Sequence, residues 1–347
     1  MIEIAYLSDS WRWLGAHSGY GQLPKYIGQL DGSIRISDTP ARLANRIAWQ
    51  LNAPSQPFWR NLGYRPGSER AFLHELRTRP GCVGHILYFE CHHRLLAGCT
   101  PPGEAVVATI HHPPAQQSDW DRSLYRDLQR LHAAIVLYQR DLGFFARHVA
   151  PKRLAFIHHG VDTAFFVPAR ERGPEAIRLL YVGINARDTR MLEEVVHRIT
   201  ASDPDIQFDF VVPKGVHQLR KLWRHPKITW HRNISDDRLR ALYQSSYLLL
   251  LPLKNAGANN SVVEALACGL PPVTTDVGGI RDYGGGTLYP VAAPNDSEAM
   301  VRLIHDYRAE TRWRDEVGRQ CRAFAEQHLA WPKVAQKHLQ VYERVLG

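Results

Sequence analysis

The sequence has no long apolar run and little cysteine. None of its apolar stretches approaches the roughly 18 residues that a membrane-spanning helix needs, and the N-terminal MIEIAYLSDS has neither a basic segment nor a signal cleavage site. The five cysteines are sparse and odd in number, as in proteins that keep reduced thiols in the cytoplasm. We therefore expect a cytoplasmic protein, with the inner face of a membrane as the alternative location.

Several nucleotide-binding and nucleophile signatures are missing as well. There is no Walker-type phosphate loop and no G-x-S-x-G elbow. In GYGQLP (19–24), Pro24 stands where a dinucleotide fingerprint has its third glycine, and the preceding loop is too long for that motif's tight turn. A nicotinamide or flavin cofactor is therefore not expected. The glycines either let the backbone approach a ligand closely or belong to a flexible loop before a helix that begins at Pro24.

The pattern of histidines and cysteines argues against a metal site. Cys91, His92, His93 and Cys99 lie in a single stretch, whereas zinc ligands usually come as two separate, closely spaced pairs. Two adjacent histidines in a strand point to opposite faces and do not easily reach one ion. We predict no metal here and interpret the cysteines as buried residues at the end of a strand.

Positive charge exceeds negative charge, but no run of basic residues concentrates it. The chain has 43 lysines and arginines against 34 acidic residues, a net charge of +9, with no run of five basic residues. A general cationic surface and a specific docking face for anions both fit this balance. No nucleic-acid-binding motif is recognisable, so nucleic acid is disfavoured as a partner and rests on net charge alone.

Short apolar segments alternate with helical patterns along the whole chain. The predicted strands are residues 2–7, 85–89, 105–110, 133–138, 154–157, 177–182, 207–212, 228–230, 247–253, 271–275 and 287–291. The alternation predicts parallel sheets covered by helices on both faces. It restarts after PARERGPEA (168–176), which we interpret as a linker. Two doubly wound α/β domains in tandem with a helical tail are therefore predicted.

Ligands of such sheets bind beyond the carboxyl ends of the strands, which directs attention to NAGANNSVVEALACGLPPVTTDVGG (255–279). Ser261 and Glu264 have the S-x-x-E spacing of a capping box at the start of a helix. The same first turn offers free N–H groups and the positive end of the helix dipole to a phosphate, with Asn259, Asn260 and Ser261 as further donors. Glu264 would then accept hydrogen bonds from ribose hydroxyls. A helix cap and a metal-free nucleoside-diphosphate site both remain open.

Two histidines follow the predicted strand AVVATI (105–110) directly. A histidine at that place can accept a proton, donate a hydrogen bond or carry positive charge near a phosphate. His111 is favoured for such a role over His112. The alternative is a structural histidine that anchors the loop before Pro113.

The segment NNSVVEALACGLPPVTTDVGG (259–279) resembles the donor-site signature of the retaining glycosyltransferases of family 4, which have the GT-B fold. Other segments resemble further parts of that family, in the same order along the chain. They are GYGQ (19–22), TIHH (109–112), HHGVDTAFFVP (158–168), ISDDRLRALYQSSYLLLLP (234–252) and WPKVAQKHLQVYERVL (331–346). The resemblance covers most of the chain, and its specific part lies in the C-terminal half.

The resemblance implies a division into domains and a set of site residues. Residues 1–168 with the terminal helix 331–347 would form a Rossmann-like acceptor domain, and residues 169–330 a Rossmann-like nucleotide-sugar donor domain, facing a central cleft. Catalysis is assigned to Glu264 and to His111, which would face the transferred sugar. The implied donor-binding residues are Gly19, Gly21, Arg187, Lys214, Asn259, Asn260, Ser261 and Glu264. The implied acceptor-side residues are His17, Tyr20 and His112.

Three departures from the family pattern bear on the sugar donor. Ala256 stands where the family has a glutamate that contacts the donor sugar, and GAN (257–259) replaces the family's Gly-Phe-Gly. Ile184 stands where the family has an arginine that balances the charge of the diphosphate. The candidate substitutes for that arginine are Arg187, Arg190 and Lys214.

By resemblance, we expect a retaining, metal-independent glycosyltransferase that moves a sugar from a UDP- or GDP-linked donor to a hydroxyl group. The acceptor would be a glycan, a lipid-linked molecule or a small molecule, in bacterial glycan, glycolipid or secondary-metabolite synthesis. The basic charge would suit peripheral association with an anionic membrane. No further cofactor is expected. The alternatives are a non-catalytic nucleotide-sugar-binding protein, which Ala256 favours, and a GT-B epimerase or hydrolase that acts on the same donors.

Overall fold

The computed structural model describes residues 2–8, 15–30, 66–93, 105–114, 122–170, 177–213 and 216–347. The chain divides into two compact units, each built around its own parallel sheet. One unit comprises Met1–Trp11, Tyr20–His158 and Pro332–Gly347, and the other comprises Arg12–Gly19 and His159–Trp331. The predicted fold class is confirmed. The assignment of acceptor and donor roles to the two parts of the chain stays a prediction.

The first unit contains a five-stranded sheet whose neighbouring strands are all parallel, in the order β1-β2-β3-β4-β5. Its strands are β1 (Ile4–Leu7), β2 (Val83–Ile86), β3 (Ala105–Ile110), β4 (Ala133–Val136) and β5 (Leu154–Phe156). Its helices before the linker are α1 (Leu23–Leu30), α2 (Pro66–Thr78), α3 (Arg122–Leu128) and α4 (Leu142–Phe145). All residues of β1 to β4 are buried, as expected for a parallel sheet with helices on both faces.

The second unit contains a six-stranded sheet, again parallel throughout, with the strand order β11-β10-β9-β6-β7-β8. Its strands are β6 (Arg178–Val182), β7 (Gln207–Val211), β8 (Ile228–His231), β9 (Leu248–Leu251), β10 (Pro272–Thr275) and β11 (Val291–Ala292). Its helices are α5 (Thr189–Ser202), α6 (Asp236–Ser245), α7 (Asn260–Ala267), α8 (Ser297–Ala309) and α9 (Thr311–Phe324). One continuous apolar core fills this unit.

The strand order of the second unit reverses between β6 and β9. From β6 the chain first adds β7 and β8 on one side, and it then returns to add β9, β10 and β11 on the other side. Because the chain crosses the sheet in opposite directions after β6 and β9, the helices that follow these two strands lie on opposite faces of the sheet. Open parallel sheets bind their ligands at this kind of switch point, beyond the carboxyl ends of the strands.

Most predicted strands occur within one or two residues of their predicted ends, and β3 covers the predicted residues 105–110. The strand predicted at 287–291 was wrong, because β11 begins only at Val291. The residues before it form turns around Gly284 and Gly286, which have φ angles of 95° and 78°. Leu288 N donates to the carbonyl of Gly284 over 2.8 Å, so this backbone hydrogen bond closes a turn instead of joining the sheet.

The last helix, α10 (Trp331–Leu346), belongs to the first unit, as the predicted return of the terminal helix requires. Buried polar side chains connect it to the strands. The hydroxyl of Tyr342 lies 2.6 Å from His85 Nδ1 and 3.3 Å from the hydroxyl of Tyr6. His85 Nε2 lies 2.9 Å from Thr109 Oγ1. The helix is thus hydrogen-bonded to β1 directly and to β3 through β2.

A second set of hydrogen bonds continues this network and fixes its direction. His338 Nδ1 lies 2.7 Å from the carbonyl of Val334, which can only accept, so this nitrogen carries the proton. His338 Nε2 therefore accepts from the hydroxyl of Tyr20 over 2.6 Å. Tyr20 in turn accepts from Thr109 over 3.2 Å. The hydrogen bonds therefore run in one direction from Tyr6 to Val334, and both imidazoles are neutral.

Candidate functional site

The loops at the carboxyl edge of the second sheet are hydrogen-bonded to one another. The loop after β6 meets the loop after β9 where Lys254 N donates to the carbonyl of Ala186 over 2.9 Å. The loop after β9 meets the loop after β10 where Gly279 N donates to the carbonyl of Ala256, also over 2.9 Å. Three consecutive loops of this edge therefore form one rigid rim beside the switch point.

Gly278 is required for the contact between the loops after β9 and β10. Its φ angle is 55°, in the left-handed region that favours glycine. A Cβ atom built at this position would lie 1.8 Å from the carbonyl oxygen of Ala256. Ala256 itself is buried, and the loop passes so close to Gly278 that no side chain fits between them.

Helix α7 starts at Asn260, and its cap is Asn259. The side chain of Asn259 accepts from Ser261 N over 3.1 Å, and its extended backbone, with φ −111° and ψ 114°, is typical of a cap. The capping-box interpretation of Ser261 and Glu264 was therefore wrong, because Ser261 is the second residue inside the helix. Its hydroxyl donates to the carbonyl of Val182, at the end of β6, over 3.3 Å.

Arg187 lies at the same place and is buried. Its guanidinium donates to the carbonyl of Val182 through Nε and Nη2, over 3.1 and 2.6 Å, and to the carbonyl of Asn185 over 2.9 Å. Nη2 also donates to Ser261 Oγ over 3.1 Å. Burial lowers the pKa of Arg187. Within the described part of the chain, no carboxylate pairs with this cation, which lies at the positive end of α7.

The other candidate cations differ from Arg187. Arg190 is exposed, and it pairs with Glu194 one turn further along α5, over 3.2 Å. Lys214 lies outside the described residues. Of the three predicted substitutes for the missing arginine at 184, Arg187 is therefore the one that the structure places beside the start of α7.

Glu264 faces the interior of the second unit. It is buried, and its Oε2 accepts a hydrogen bond from the hydroxyl of Tyr243 over 2.9 Å. Burial raises the pKa of Glu264 to about 7, against the lowering effects of Ser18 and Tyr243, while the nearby charge of Asp236 raises it further. Near neutral pH the carboxyl group therefore exchanges between its charged and neutral forms, as groups in binding sites often do.

Residues 15–19 belong to the second unit and lie near Glu264. His17 Nδ1 pairs with Asp162 Oδ2 over 2.7 Å, and its ring stacks on Phe165 with centroids 3.7 Å apart. The backbone N of His17 donates to Asp236 Oδ2 over 3.1 Å. These contacts place Ser18 beside Glu264. Asp162, Asp236 and Tyr243 were missed in the sequence, because nothing in their spacing connects them to residues 17–18.

The remaining candidates near the N-terminus, Gly19, Tyr20 and Gly21, lie in different surroundings. Tyr20 is completely buried and hydrogen-bonded to His338, so it supports α10, and we do not carry it into the proposed acceptor contacts. Gly19 has a φ angle of 84°, which lets the chain turn there. Gly21 is exposed, with nothing within 4 Å of the place where a Cβ would stand. The roles of His17, Gly19 and Gly21 stay predictions.

His111 lies at the carboxyl end of β3, as predicted. Its Nε2 donates to the carbonyl of Leu87 over 2.7 Å, and its ring stacks on Tyr88 at 4.3 Å. The backbone N–H groups of His111 and His112 donate to Glu90 Oε1 over 2.6 and 2.8 Å. Glu90 was missed as the residue that orders this turn. The bond to Leu87 fits the structural interpretation of His111, and its sugar-facing role stays a prediction.

Cys91, His92 and His93 lie in turns beyond β2, so the premise that they stand in a strand was wrong. His93 Nδ1 pairs with Asp127 over 2.9 Å, and Cys99 lies outside the described residues. Within the described ranges, no group of three or more His, Cys, Asp or Glu side chains is arranged to hold a metal ion. In the same ranges, every helix is too short or too polar to cross a membrane.

Comparisons with known proteins bear on the family and the fold. A family model described as Glycosyl transferases group 1 matches residues 176–307. D-inositol 3-phosphate glycosyltransferase of Streptomyces bingchenggensis is 27% identical over 227 residues, 56% of this chain and 49% of that protein, so the chain spans about half its length. Sucrose-phosphate synthase from Thermosynechococcus elongatus has a TM-score of 0.78 at 16% identity. HepE of Anabaena, in complex with UDP-glucose, has a TM-score of 0.71 at 14% identity. Each of these two comparisons covers 99% of both chains, and they show the fold.

Proposed function

Because the chain belongs to the group 1 glycosyltransferases and has the GT-B fold, we propose that it transfers a sugar from a nucleoside-diphosphate donor to a hydroxyl group. The transfer would retain the anomeric configuration and need no metal ion. One observation carries the proposal: the buried guanidinium of Arg187 is bonded to Ser261 at the start of α7, at the switch point of the sheet. A diphosphate is the ligand that this arrangement suits best.

The diphosphate would bind where Arg187 meets the N-terminus of α7. The N-terminus of α7 supplies the positive end of the helix dipole there, and Arg187 supplies a full charge without a carboxylate to neutralise it among the described residues. As the glycosidic bond breaks, negative charge grows on the departing phosphate. A cation and a helix dipole that are already held in place stabilise that charge without reorganising. The acceptor hydroxyl would pass its proton to the same phosphate.

The nucleoside would be held by Glu264, one turn into α7. In its charged form the carboxylate accepts hydrogen bonds only, which matches the two hydroxyls of a ribose. Tyr243 occupies Oε2 and orients the group. Because the pKa of Glu264 is about 7, the charged form is present mainly above neutral pH, and binding of the nucleoside would strengthen as the pH rises through this value.

The donor sugar would meet a surface that differs from the family pattern at Ala256. The polar run Asn259-Asn260-Ser261 near this position is the local candidate to replace the family's glutamate. Asn259 is taken up in the cap, and Ser261 in the bonds to Arg187 and Val182. The side chain of Asn260 makes no hydrogen bond with the described residues. We therefore assign the replacement contact to Asn260, and it would contribute to the choice of donor sugar.

A second function is favoured by the same departure. Without the glutamate at 256, the chain would bind nucleotide sugars without transferring them. Incubation with a labelled donor distinguishes the two: transfer to an acceptor supports the enzyme, whereas retention of intact donor supports a binding protein. Conversion of the donor without an acceptor would instead indicate an epimerase or a hydrolase.

Binding at Arg187 is tested by thermal shift with UDP, GDP and their sugars, since a ligand raises the unfolding midpoint according to its affinity. Arg187→Gln should abolish the shift. Ser261→Ala should reduce the thermal shift. Because this smaller change retains the packing of the helix, it tests the site even if Arg187→Gln misfolds. Arg190→Gln is the matched control and should keep the full shift. An undiminished shift in both site variants would contradict the proposed diphosphate site.

A further inference from the structure

The excess positive charge of the chain is concentrated in one segment of the second unit. Residues 210–235 contain six lysines and arginines and no aspartate or glutamate, against a net charge of +9 for all 347 residues. Apolar residues and histidines separate these cations, so no run marks the segment in the sequence. The segment connects β7 to α6 and includes β8.

The middle of this segment is a turn that presents cations to solvent. The 3₁₀ helix His217–Leu222 buries Leu219 and Leu222 in the core of the unit. Arg220 and Lys221 are consequently exposed on the other side. The apolar residues fix the turn to the unit, so the two cations are displayed on a rigid surface rather than on a loose loop.

A tryptophan lies beside these cations. Trp223 is 43% exposed, one of three large hydrophobic side chains exposed to at least that degree among the described residues. Arg224, next to it, is also exposed. The nearest aromatic neighbour of Trp223 is His217, with ring centroids 6.1 Å apart. The combination of an exposed indole and neighbouring cations is typical of places where proteins contact the membrane interface.

Helix α5 borders this surface with charges of both signs. A depression of 470 Å³ is lined by Arg190, Glu193, Glu194, His197, Arg198 and Lys221. Lys221 pairs with Glu193 over 3.0 Å and remains 69% exposed at its side chain. Arg198 is exposed and adds to the positive charge at this edge.

We propose that Arg220, Lys221, Trp223 and Arg224, together the basic-tryptophan surface, dock the second unit on a lipid bilayer with anionic headgroups. The cations are attracted to the negative surface potential, and the indole enters the interfacial layer between headgroups and acyl chains. A nucleic acid would use the charges but leave the lone indole without a row of aromatic partners for stacked bases. The proposal does not depend on glycosyl transfer, because the surface contains none of the proposed donor-binding residues.

Sedimentation with vesicles tests the docking of the full chain. The protein should sediment with vesicles of phosphatidylcholine and phosphatidylglycerol, not with phosphatidylcholine alone, and should be released by salt. The double variant Arg220→Gln, Arg224→Gln should lose about 25-fold in vesicle affinity, since each basic residue near an anionic surface contributes about fivefold. Trp223→Ala should weaken binding without changing its dependence on salt, because it removes no charge.

The matched control is the double variant Arg302→Gln, Arg319→Gln, which removes two exposed charges of α8 and α9. It should bind the anionic vesicles like the unaltered protein. Equal losses in the two double variants would overturn the proposal, because binding would then follow net charge alone. Sedimentation with phosphatidylcholine alone, or retention on duplex DNA without vesicle binding, would overturn it as well. Thermal shift with nucleoside diphosphates, measured on the same variants, reports separately on the proposed donor site.

Discussion

The hydroxyl of Tyr243 donates a hydrogen bond to Glu264 Oε2 over 2.9 Å, and both side chains are buried. Tyr243 lies on α6 and Glu264 on α7, so the bond joins two helices of the second unit. The carboxyl group that the resemblance assigns to the ribose is therefore already oriented by the protein. Because its position is fixed, the charge of Glu264, which depends on pH, controls which groups it can bind.

Glu264→Gln should change how stability depends on pH. The pKa of Glu264 is raised by burial from 4.5 to about 7, so between these values the folded chain binds more protons than the unfolded chain. Stability therefore falls as the pH rises through this window, by about 3 kcal/mol at most. The glutamine variant lacks this loss. Chemical denaturation at about pH 5 and about pH 8 should show a smaller drop in the free energy of unfolding for the variant, and equal drops would contradict the raised pKa.

Tyr243→Phe should shift the pH dependence of nucleotide binding upward. The hydroxyl lowers the pKa of Glu264, and without it the carboxylate is formed only at higher pH. Titration of UDP or GDP binding across neutral pH should show the midpoint above that of the unaltered protein. Tyr289→Phe removes an equally buried hydroxyl, bonded instead to the carbonyl of Tyr283, and should leave the midpoint in place. A midpoint that moves in both variants would indicate a general loss of structure.

Gly278→Ala should destabilise the rim of the candidate site. A methyl group at φ 55° would meet the carbonyl of Ala256, and the loops after β9 and β10 would have to separate. We expect a loss of roughly 2 kcal/mol or more in the free energy of unfolding, together with weaker donor binding. Gly28→Ala is the control, because nothing lies within 4 Å of its Cβ position inside α1. That change should be neutral or stabilise by about 0.5–1 kcal/mol.

Tyr20→Phe should cost more stability than Tyr6→Phe, because the two hydroxyls hold different places in the same directed chain of hydrogen bonds. Removing the Tyr20 hydroxyl leaves the Nε2 acceptor of buried His338 without its donor and Thr109 without its acceptor. Removing the Tyr6 hydroxyl takes away the first and longest bond of this chain, of 3.3 Å to Tyr342, and leaves the later bonds in place. We expect a loss of about 2 kcal/mol for Tyr20→Phe by thermal or chemical unfolding. An equal or larger loss for Tyr6→Phe would contradict this prediction.

His111→Ala should reduce turnover more than donor affinity, if this residue faces the transferred sugar as the resemblance implies. A group that stabilises developing charge contributes about 10²-fold to kcat, with little change in the KM for the donor. The unfolding midpoint must be measured in parallel, since the His111 ring also stacks on Tyr88. His305→Ala on α8 is the control and should keep normal turnover. A variant with normal kcat would remove His111 from the active site.

The sheets could be predicted from the sequence because a strand that is buried on both faces has a continuous apolar sequence, such as AVVATI at β3. The start of α7 was misplaced because several residues in the run 259–261 can cap a helix, and only the backbone angles select Asn259. The i, i+3, i+4 spacing of Leu239, Leu242 and Tyr243 in the sequence shows only that the three share one face of α6. The contact of Tyr243 with Glu264 depends on how two helices pack, which no local pattern records.

The basic-tryptophan surface also could not be predicted from a local sequence pattern. The sequence contains all six cations of residues 210–235, but a search for runs passes over them. Only the burial of Leu219 and Leu222 shows that Arg220 and Lys221 are displayed together.

The directed hydrogen-bond chain of the first unit has a consequence for biosynthesis. Its first member, Tyr6, lies on the first strand, whereas His338 and Tyr342 lie on the last helix, after the whole second unit. Domains usually fold as they emerge during synthesis, but this one cannot satisfy His85, Thr109 and Tyr20 until α10 has been made. The second unit, which is continuous in sequence apart from residues 12–19, can complete its core first. We therefore expect the second unit to complete its core during translation before the first unit does, although the first unit begins earlier in the chain.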